Sequence, residues 1–241
     1  MMIDKHSPTP IYFQLEHSLR RQIEDGELLP GELLPSEREF AEKLGISRMT
    51  VRQAITNLVN EGFLYRQKGR GTFVSEKKLE QRLSGLTSFT EDMRMRGLTP
   101  ASKLLSFKII PADVKTAERL QIQDYASVYE IIRVRLADEV PMALETVYMS
   151  VNLVKDLTEK LVSASLYTYI ENELSLSIGR AAQSMEAVLA TENEEEHLLV
   201  PKGAPVLFIE RNTYLTNGTP LEHVKSFYRA DRYKLTVDIN R

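Results

Sequence analysis

Two arginines placed two residues apart carry the most specific chemistry in this sequence. Arg133 and Arg135 fall in a predicted strand from Val128 to Leu136, so both side chains project from the same face. Adjacent guanidinium groups repel each other unless an anion lies between them, and their planar forks suit a phosphate. The pattern therefore predicts an anion site, although each arginine could instead pair with a separate glutamate on the sheet.

Two glutamates stand where they could complete such a site. Glu145 and Glu222 lie in the return strands of two similar hairpins. Each follows the proline of its own hairpin, Pro141 or Pro220, by an even number of residues, so the two side chains have equivalent orientations. Carboxylates that reach one cleft from these strands would suit sugar hydroxyls or an amine. The alternative for either glutamate is an exposed cross-strand partner of a neighbouring residue.

The elements that must position these side chains form an antiparallel sheet. Residues 136–141 and 215–220 resemble each other, and each stretch has strands on both sides, with a strong hairpin signal at Asn217-Gly218. Helices lie between the strands, as the capping-box pattern from Ser88 to Glu91 and the helix expected after Asp113, with Val114, Ala117 and Leu120 on one side, both indicate. The second half of the chain therefore predicts an α+β layer.

Residues 35–55 predict two helices joined by a tight turn, after an earlier helix that follows Pro10. Ser36 and Ser47 are natural N-caps, and Gly45 suits the left-handed residue that ends a helix. The second helix has an apolar stripe at i, i+3, i+4 and i+7, formed by Val51, Ala54, Ile55 and Leu58. Its first turns present Ser47, Arg48, Thr50 and Arg52 on another side, which suits a DNA major groove, although a surface helix with solvated arginines fits the same pattern.

A β-hairpin follows these helices. Residues 63–66 and 72–74 are strand-like, and the turn between them carries Lys68, Gly69 and Arg70. A hairpin directly after a helix-turn-helix predicts the wing of a winged-helix domain, with Lys68 and Arg70 against phosphates or in the minor groove. Between Arg48 and Arg70 five basic residues face a single acid, Glu61, so the region has a local charge of about +4 that can form a basic footprint.

The bulk composition restricts the class of protein. The 241 residues are 42% hydrophobic and 27% charged, with a formal net charge of -3 and no cysteine. These values fit a globular chain with two cores and exclude disulfides, thiol nucleophiles and cysteine metal sites. No apolar stretch approaches the length of a signal peptide or a membrane span, so we expect a cytoplasmic protein without a membrane partner. The predicted boundaries are 1–75 for DNA binding, 76–82 for a charged linker and 83–241 for a second domain.

Three motifs in the first domain resemble one family. Residues 34–39, 47–54 and 69–74 look like the DNA-binding domain of the GntR family of bacterial transcription regulators, in the family's order and spacing. The resemblance implies a homodimer that binds double-stranded operator DNA at a palindromic site. It also implies DNA contacts by the residues that match Arg38, Arg48, Arg52 and Gly69, with Thr50 and Lys68 nearby.

The second domain resembles the sensor domain of the HutC subfamily, the UTRA type, which is similar in fold to chorismate lyase. Residues 86–93, 133–135, 141–145 and 222–233 carry this likeness. It implies a repressor of N-acetylglucosamine uptake and use, released by glucosamine 6-phosphate or N-acetylglucosamine 6-phosphate. The phosphate positions of the family match Ser88, Phe89, Thr90, Arg133, Arg135, Ser165 and Tyr167, and the sugar positions match Glu145, Glu222 and Tyr228. Related sensors share the phosphate set, so another phosphorylated sugar or small anion is the alternative effector.

An enzyme is the remote alternative, since the lyase-like fold and the carboxylates of Glu145 and Glu222 could support acid–base chemistry. Against it, the four histidines at 6, 17, 197 and 223 lack metal-ligand spacing, and the sequence has no nucleophile elbow or phosphate-binding loop. We therefore predict no catalytic residue, no metal and no cofactor.

Overall fold

The structure is a computed structural model that describes residues 3–5, 7–75, 78–82, 85–163 and 165–239. The chain divides into two compact units, Met1–Leu79 and Glu80–Arg241, each with its own core. None of the helices that these described residues form is long and apolar enough to cross a membrane.

The N-terminal unit is a three-helix domain with a hairpin, as the sequence predicts. Its elements are α1 (Ile11–Glu24), α2 (Glu37–Leu44), α3 (Arg48–Asn60), β1 (Leu64–Gln67) and β2 (Gly71–Val74). The stripe of α3 packs with apolar residues of α1, α2 and the hairpin in one core, in which Leu15, Val51, Ala54 and Leu58 are completely buried.

Local hydrogen bonds fix the turn between α2 and α3. Ser36 and Glu39 form a reciprocal capping box at the start of α2, and Gly45 ends that helix in the left-handed conformation at φ 60°. Ser47 Oγ accepts a hydrogen bond from Thr50 N and so begins α3. These three features confirm the predicted helix-turn-helix and determine the direction in which α3 leaves the turn.

The C-terminal unit contains a six-stranded antiparallel sheet in the order β4-β5-β6-β9-β8-β7. Two consecutive segments of the chain build it in the same way, each as strand, helix, strand, strand. The first segment is β4 (Pro100–Pro111), α5 (Val114–Leu120), β5 (Ser127–Ala137) and β6 (Val140–Ser150), and the second is β7 (Ile178–Leu189), α8 (Glu192–Leu198), β8 (Pro205–Leu215) and β9 (Pro220–Arg229). The two segments meet where β6 pairs with β9, so the echo between the two hairpins extends to a whole supersecondary unit.

The two faces of this sheet are covered differently. On one face α5 and α8 pack over separate small clusters, around Val128 and around Val206. On the other face α6 (Glu159–Ser163) and α7 (Leu166–Asn172) cover the largest core of the unit, which includes Ile131, Val147 and Met149. Helix α4 (Phe89–Met95) and a separate two-stranded sheet of β3 (Leu79–Arg82) and β10 (Tyr233–Thr236) complete the unit.

Several elements differ from the sequence prediction. The predicted linker at 76–82 is in part a strand, because Leu79–Arg82 forms β3, while Glu76 and Lys77 lie outside the described residues. The sequence did not predict α6 or β10 either. In α5 the buried residues are Thr116, Ala117 and Leu120, whereas Val114 is 58% exposed, so its predicted place on the apolar face is wrong.

Candidate functional sites

The predicted DNA-contacting residues lie around the open end of the helix-turn-helix. Five of them line one groove between the start of α2, the start of α3 and the tip of the hairpin: Arg38, Arg48, Lys68, Gly69 and Arg70. We call this the wing groove. Ser47, Thr50 and Arg52 belong to the same end of α3, and all three carry exposed or half-buried side chains.

Some of these side chains already have partners. Arg52 Nε donates to Glu37 Oε2 at 3.0 Å, and Arg66 Nη2 reaches the other oxygen of Glu37 at 3.4 Å. Arg38 pairs with Glu42 along α2, and the hydroxyl of Ser47 is engaged with Thr50. Exposed pairs of this kind are weak, so these arginines can exchange their present partners easily.

The side chains of Arg48, Lys68 and Arg70 are exposed and make no hydrogen bond or ion pair with any residue that the structure describes. Gly69 takes φ +76° at the third position of the turn that the Arg70 N to Gln67 O hydrogen bond closes, a conformation that favours glycine. Three basic side chains without partners therefore surround a backbone turn that a β-carbon would strain.

The ten predicted effector residues all line one cavity in the C-terminal unit, on the face of the sheet that α4, α6 and α7 cover. We call it the sheet pocket; it encloses about 730 Å³, including its opening to solvent. Strands β5, β6 and β9 supply Arg133, Arg135, Glu145, Glu222 and Tyr228. The start of α4 and the start of α7 supply the others, Ser88, Phe89, Thr90, Ser165 and Tyr167.

Arg133 and Arg135 project into the sheet pocket side by side, but their surroundings differ. Arg133 faces Glu145 across β5 and β6, donates to that carboxylate through Nε and Nη2, and donates through Nη1 to the carbonyl oxygen of Val162. Burial alone would raise the pKa of Glu145, but the charges of Arg133 and Arg135 outweigh it and hold that pKa below its usual value. Arg133 therefore has the glutamate partner that the alternative interpretation of the sequence expected.

Arg135 has no such carboxylate. Its Nη2 donates to Thr90 Oγ1 at 3.0 Å, and its guanidinium lies 4.8 Å from the centre of the Phe89 ring. Burial lowers the pKa of Arg135 to about 10, although nearby Glu145 opposes the shift, so the group stays a cation at neutral pH. Its Nε is buried without a hydrogen-bond partner in the described structure. An unpaired buried donor on a cation is costly, and an anion in the pocket would satisfy it.

The opposite wall of the sheet pocket contains a hydroxyl and carboxylate cluster. Tyr167 donates to Glu222 Oε1 at 2.7 Å, and Thr213 donates to the same oxygen at 2.8 Å. Burial raises the pKa of Glu222, and it raises the pKa of Tyr167 well above the usual value. Tyr228 lies instead in the row of Arg135, which it reaches across the sheet through Ala143, and its ring is edge-on to Tyr233. Polar oxygens that are held in place in this way can discriminate between hydroxyl and amine groups.

Ser88 is less available than the sequence suggests. Its Oγ accepts a hydrogen bond from Glu91 N, while the Glu91 carboxylate accepts from Ser88 N, so the predicted capping box is present. Ser165, by contrast, makes no side-chain cap at the start of α7, and its hydroxyl accepts a hydrogen bond from Thr168.

The structure adds one charged residue that the sequence interpretation missed. Arg211 of β8 lines the sheet pocket, and its Nε donates to Gln183 Oε1 at 3.0 Å. Arg211 lies two residues before Thr213, after which the register of β8 with β9 shifts. Arg133 likewise lies two residues before Arg135, after which the register of β5 with β6 shifts. The echo between the two hairpins does not locate it, because the alignment of Leu136 with Leu215 places Arg211 opposite Ile132. A group of three or more residues able to hold a metal ion is absent from the described part of the chain.

A three-helix domain with a basic wing, joined to a separate α+β unit with a polar buried pocket, is the architecture of a bacterial transcription regulator. The chain matches the model of the bacterial regulatory proteins of the gntR family over residues 11–74 and that of the UTRA domain over residues 95–234. It belongs to the GntR family and has the HutC-type architecture. These families are transcription regulators and not enzymes.

Relatives agree with this assignment over the full length. The chain is 53% identical over 241 residues to the HTH-type transcriptional repressor NagR of Bacillus subtilis, and the match covers 100% of this chain and 99% of that relative. It is 35% identical to the mannosyl-D-glycerate transport/metabolism system repressor MngR of Escherichia coli, and the match covers 96% of this chain and 97% of that relative. Among solved structures, PhnF from Mycobacterium smegmatis superposes with a TM-score of 0.66 at 29% identity, covering 93% of this chain and 98% of that one.

Proposed function

We propose that this chain represses transcription as a homodimer on a palindromic operator, and that an amino-sugar 6-phosphate releases it. The effector is glucosamine 6-phosphate or N-acetylglucosamine 6-phosphate, and the target genes serve N-acetylglucosamine uptake and use. The relative NagR, 53% identical, supports a repressor, and relatives named for mannosyl-D-glycerate and fructoselysine systems support a sugar-derived effector. Because its partner is DNA, we place its action in the cytoplasm.

The observation that carries the effector class is the unequal pairing of the two arginines in the sheet pocket. Glu145 neutralises Arg133, while Arg135 has only a neutral hydroxyl and an aromatic ring beside it. A phosphate that receives hydrogen bonds from Arg135 and from the neighbouring hydroxyls would supply the missing charge. In this assignment the phosphate contacts come from Ser88, Phe89, Thr90, Arg133, Arg135, Ser165 and Tyr167.

The sugar end of the effector belongs to Glu145, Glu222 and Tyr228. Glu222 shares one oxygen between Tyr167 and Thr213, and Glu145 uses Oε1 for Arg133, so each carboxylate keeps a second oxygen for which no hydrogen bond is described. Those oxygens can accept from a sugar hydroxyl or an ammonium group. A pocket that selected only for phosphate would bind other phosphorylated sugars or small anions equally well, which is the alternative function.

On the DNA side, we assign the operator contacts to the wing groove and the start of α3. Arg48, Arg52 and Thr50 would face base edges and phosphates in the major groove, and Ser47 would contribute beside them. Lys68, Gly69, Arg70 and Arg38 would contact the backbone or the minor groove. The unpaired state of Arg48, Lys68 and Arg70 among the described residues supports this assignment, since free cations are what a polyanion requires.

Coupling between the sites would pass through residues 76–82. Gln81 of β3 lines the sheet pocket, and Arg96 Nη1 donates to the carbonyl oxygen of Glu80 at 2.7 Å. Strand β10, which pairs with β3, also places Tyr233 in the pocket lining. An effector that moves these groups can therefore change the spacing of the two DNA-binding units across the dimer.

Calorimetry with the full chain tests the effector. Arg135→Ala should reduce affinity for glucosamine 6-phosphate or its N-acetyl form about ten- to a hundred-fold, since a charge-assisted hydrogen bond is worth roughly 1.5–3 kcal/mol. The variant should still bind operator, and should no longer be released by the sugar phosphate. Arg119→Ala, on the opposite face of the sheet, is the matched control and should bind effector like the parent. Equal affinity of the parent for inorganic phosphate and both amino-sugar phosphates would exclude a sugar sensor.

A further inference from the structure

A second cavity adjoins the sheet pocket on the side of β8. It is lined by residues of β3, of β7 and of the stretch just before α4, and it encloses about 830 Å³, including its opening to solvent. We call it the side cavity. Gln81, Thr87 and Arg211 line both cavities, so these three residues form the boundary between them. A ligand bound in the sheet pocket therefore has the side cavity as its neighbour.

The side cavity offers hydrogen-bond donors and apolar carbon. Its lining supplies two guanidinium groups, two side-chain amides and two apolar side chains, from Arg180, Arg211, Gln81, Gln183, Leu86 and Ala181. No aspartate or glutamate is among the described residues that line it. A cavity of this composition suits a ligand group with an acceptor oxygen and a short apolar end, and it does not suit a cation.

Arg211 is the residue at the boundary that has donors to spare. Its Nε donates to Gln183 Oε1 at 3.0 Å, while Nη1 and Nη2 make no hydrogen bond or ion pair within the described part of the chain. In the sheet Arg133 faces Glu145, whereas Arg211 faces Val224. Arg211 therefore keeps two donor groups that its own strand neighbours do not occupy.

The charge of Arg211 acts on the sugar end of the sheet pocket. Thr213, which donates to Glu222, lies two residues after Arg211 in β8, so both side chains project from the same face. Burial alone would lower the pKa of Arg211, but neighbouring oxygens outweigh it and hold that pKa above its usual value, in descending order those of Tyr228, Tyr167, Glu222 and Glu145. Arg211 is therefore a cation close to both carboxylates that we assign to the sugar.

The two amino-sugar phosphates differ in what they can offer at this boundary. The ammonium group of glucosamine 6-phosphate has donors only, and a guanidinium group beside it repels it. The acetamido group of the N-acetyl form is neutral, with a carbonyl oxygen that accepts and an N–H that donates. Only the acetamido group can therefore accept from Arg211 while it donates to a carboxylate such as Glu222.

From these features we propose that the side cavity takes the N-acyl substituent of the effector and that Arg211 donates to its carbonyl oxygen. The methyl group of the substituent lies towards Leu86 and Ala181, and its amide N–H donates to Glu222. The inference rests on the proposed amino-sugar 6-phosphate effector, and it makes Arg211 the residue that favours the N-acetylated form over the free amine.

Calorimetry with the full chain tests the role of Arg211. The parent should bind N-acetylglucosamine 6-phosphate about ten-fold more tightly than glucosamine 6-phosphate. Arg211→Ala removes both the donor to the carbonyl oxygen and the cation that repels an ammonium group, so this preference should disappear or reverse. Its affinity for the N-acetyl form should fall about ten-fold. Arg119→Ala, on the opposite face of the sheet, should keep the preference of the parent.

A change of shape gives an independent measurement that removes no charge. Ala181 is half-buried opposite Thr213, and Ala181→Leu should fill part of the side cavity. This variant should bind the N-acetyl form less tightly than the parent does, and glucosamine 6-phosphate equally well.

Two results would overturn the acyl site and leave the sugar-phosphate sensor standing. One is a parent that prefers glucosamine 6-phosphate, and the other is a ratio of the two affinities that neither Arg211→Ala nor Ala181→Leu changes. A parent that binds neither sugar phosphate would overturn the proposed function as well.

Discussion

Two ion pairs in this protein have the same chemistry and opposite environments. In the N-terminal unit Glu37 holds Arg52 and Arg66, and the Arg52 side chain is 52% exposed. In the C-terminal unit Glu145 holds Arg133 with Arg135 beside it, and the Arg133 side chain is 4% exposed. Water solvates the first set of charges whether or not it is paired, whereas the second set depends on its partners.

The difference corresponds to what each site is proposed to bind. An arginine that reads DNA must leave its glutamate when the operator arrives, and a solvated pair loses little on opening. An arginine that grips a small anion must already point at it, and burial beside a carboxylate holds the guanidinium in place. The N-terminal unit therefore keeps its arginines available, and the C-terminal unit keeps them preorganised at a cost in stability.

The largest difference between the two regions should appear in the unfolding free energy when the carboxylate of each pair is removed. Glu145→Ala leaves buried Arg133 without its partner, and breaking a buried pair in this way costs about 3–5 kcal/mol of unfolding free energy. Glu37→Ala, the matched change at the surface, should barely move the unfolding midpoint. Urea unfolding followed by circular dichroism measures both. Similar shifts for the two variants would show that burial does not separate the two pairs.

An intermediate effect is expected for operator binding by the unpaired cations. Arg48→Ala should cost about 1–3 kcal/mol and relax base preference if Arg48 reads a base. Lys68→Ala should weaken binding evenly across sequences. It should also lower the magnitude of the slope of log affinity against log salt concentration by roughly 1. Arg21→Ala on α1, outside the wing groove, is the control. Gel shifts over a salt series decide the matter, and parent-like binding by both variants would remove the wing groove from the interface.

A smaller effect, opposite in sign, should follow from Glu222→Gln. Burial raises the pKa of Glu222 in the folded state, so this group favours folding below its unfolded pKa, near 4.5, and that contribution is lost as pH rises through the folded value. Glutamine is neutral throughout, so the variant should be more stable than the parent at pH 7.

The stability difference should shrink towards pH 4, and the variant should bind the amino-sugar phosphate less tightly than the parent. Thermal unfolding across this pH range provides the measurement. A variant less stable than the parent at pH 7 would mean that Glu222 contributes to folding as an anion.

The sequence predicts the elements whose signals are local. The N-cap at Ser36 and the capping box from Ser88 to Glu91 each begin a helix in the structure, and the hairpin turn at Asn217-Gly218 is where the dipeptide indicates. The parity of Arg133 and Arg135 also suffices to place both in one pocket, because a strand allows only two faces.

Features that depend on distant residues could not be predicted in this way. Strand β3 is a charged run whose extended structure exists because it pairs with β10, about 150 residues later. Whether Arg133 or Arg135 receives the glutamate is a matter of register between β5 and β6, which places Glu145 opposite Arg133 and Ala143 opposite Arg135. To place Arg211 in the pocket, the register between β8 and β9 is needed in the same way. Their binding roles stay predictions.

The pairing of β6 with β9 also sets an order of events during synthesis. Residues 143–148 must wait for residues 223–228, so the sheet cannot close until nearly the whole described chain has left the ribosome. The helices and hairpin of the N-terminal unit are complete by residue 74 and depend on no later strand. The DNA-binding unit can therefore fold long before the sheet that carries the pocket. Under the proposed function, each newly made chain passes through a period in which it is able to bind operator DNA and unable to respond to an effector.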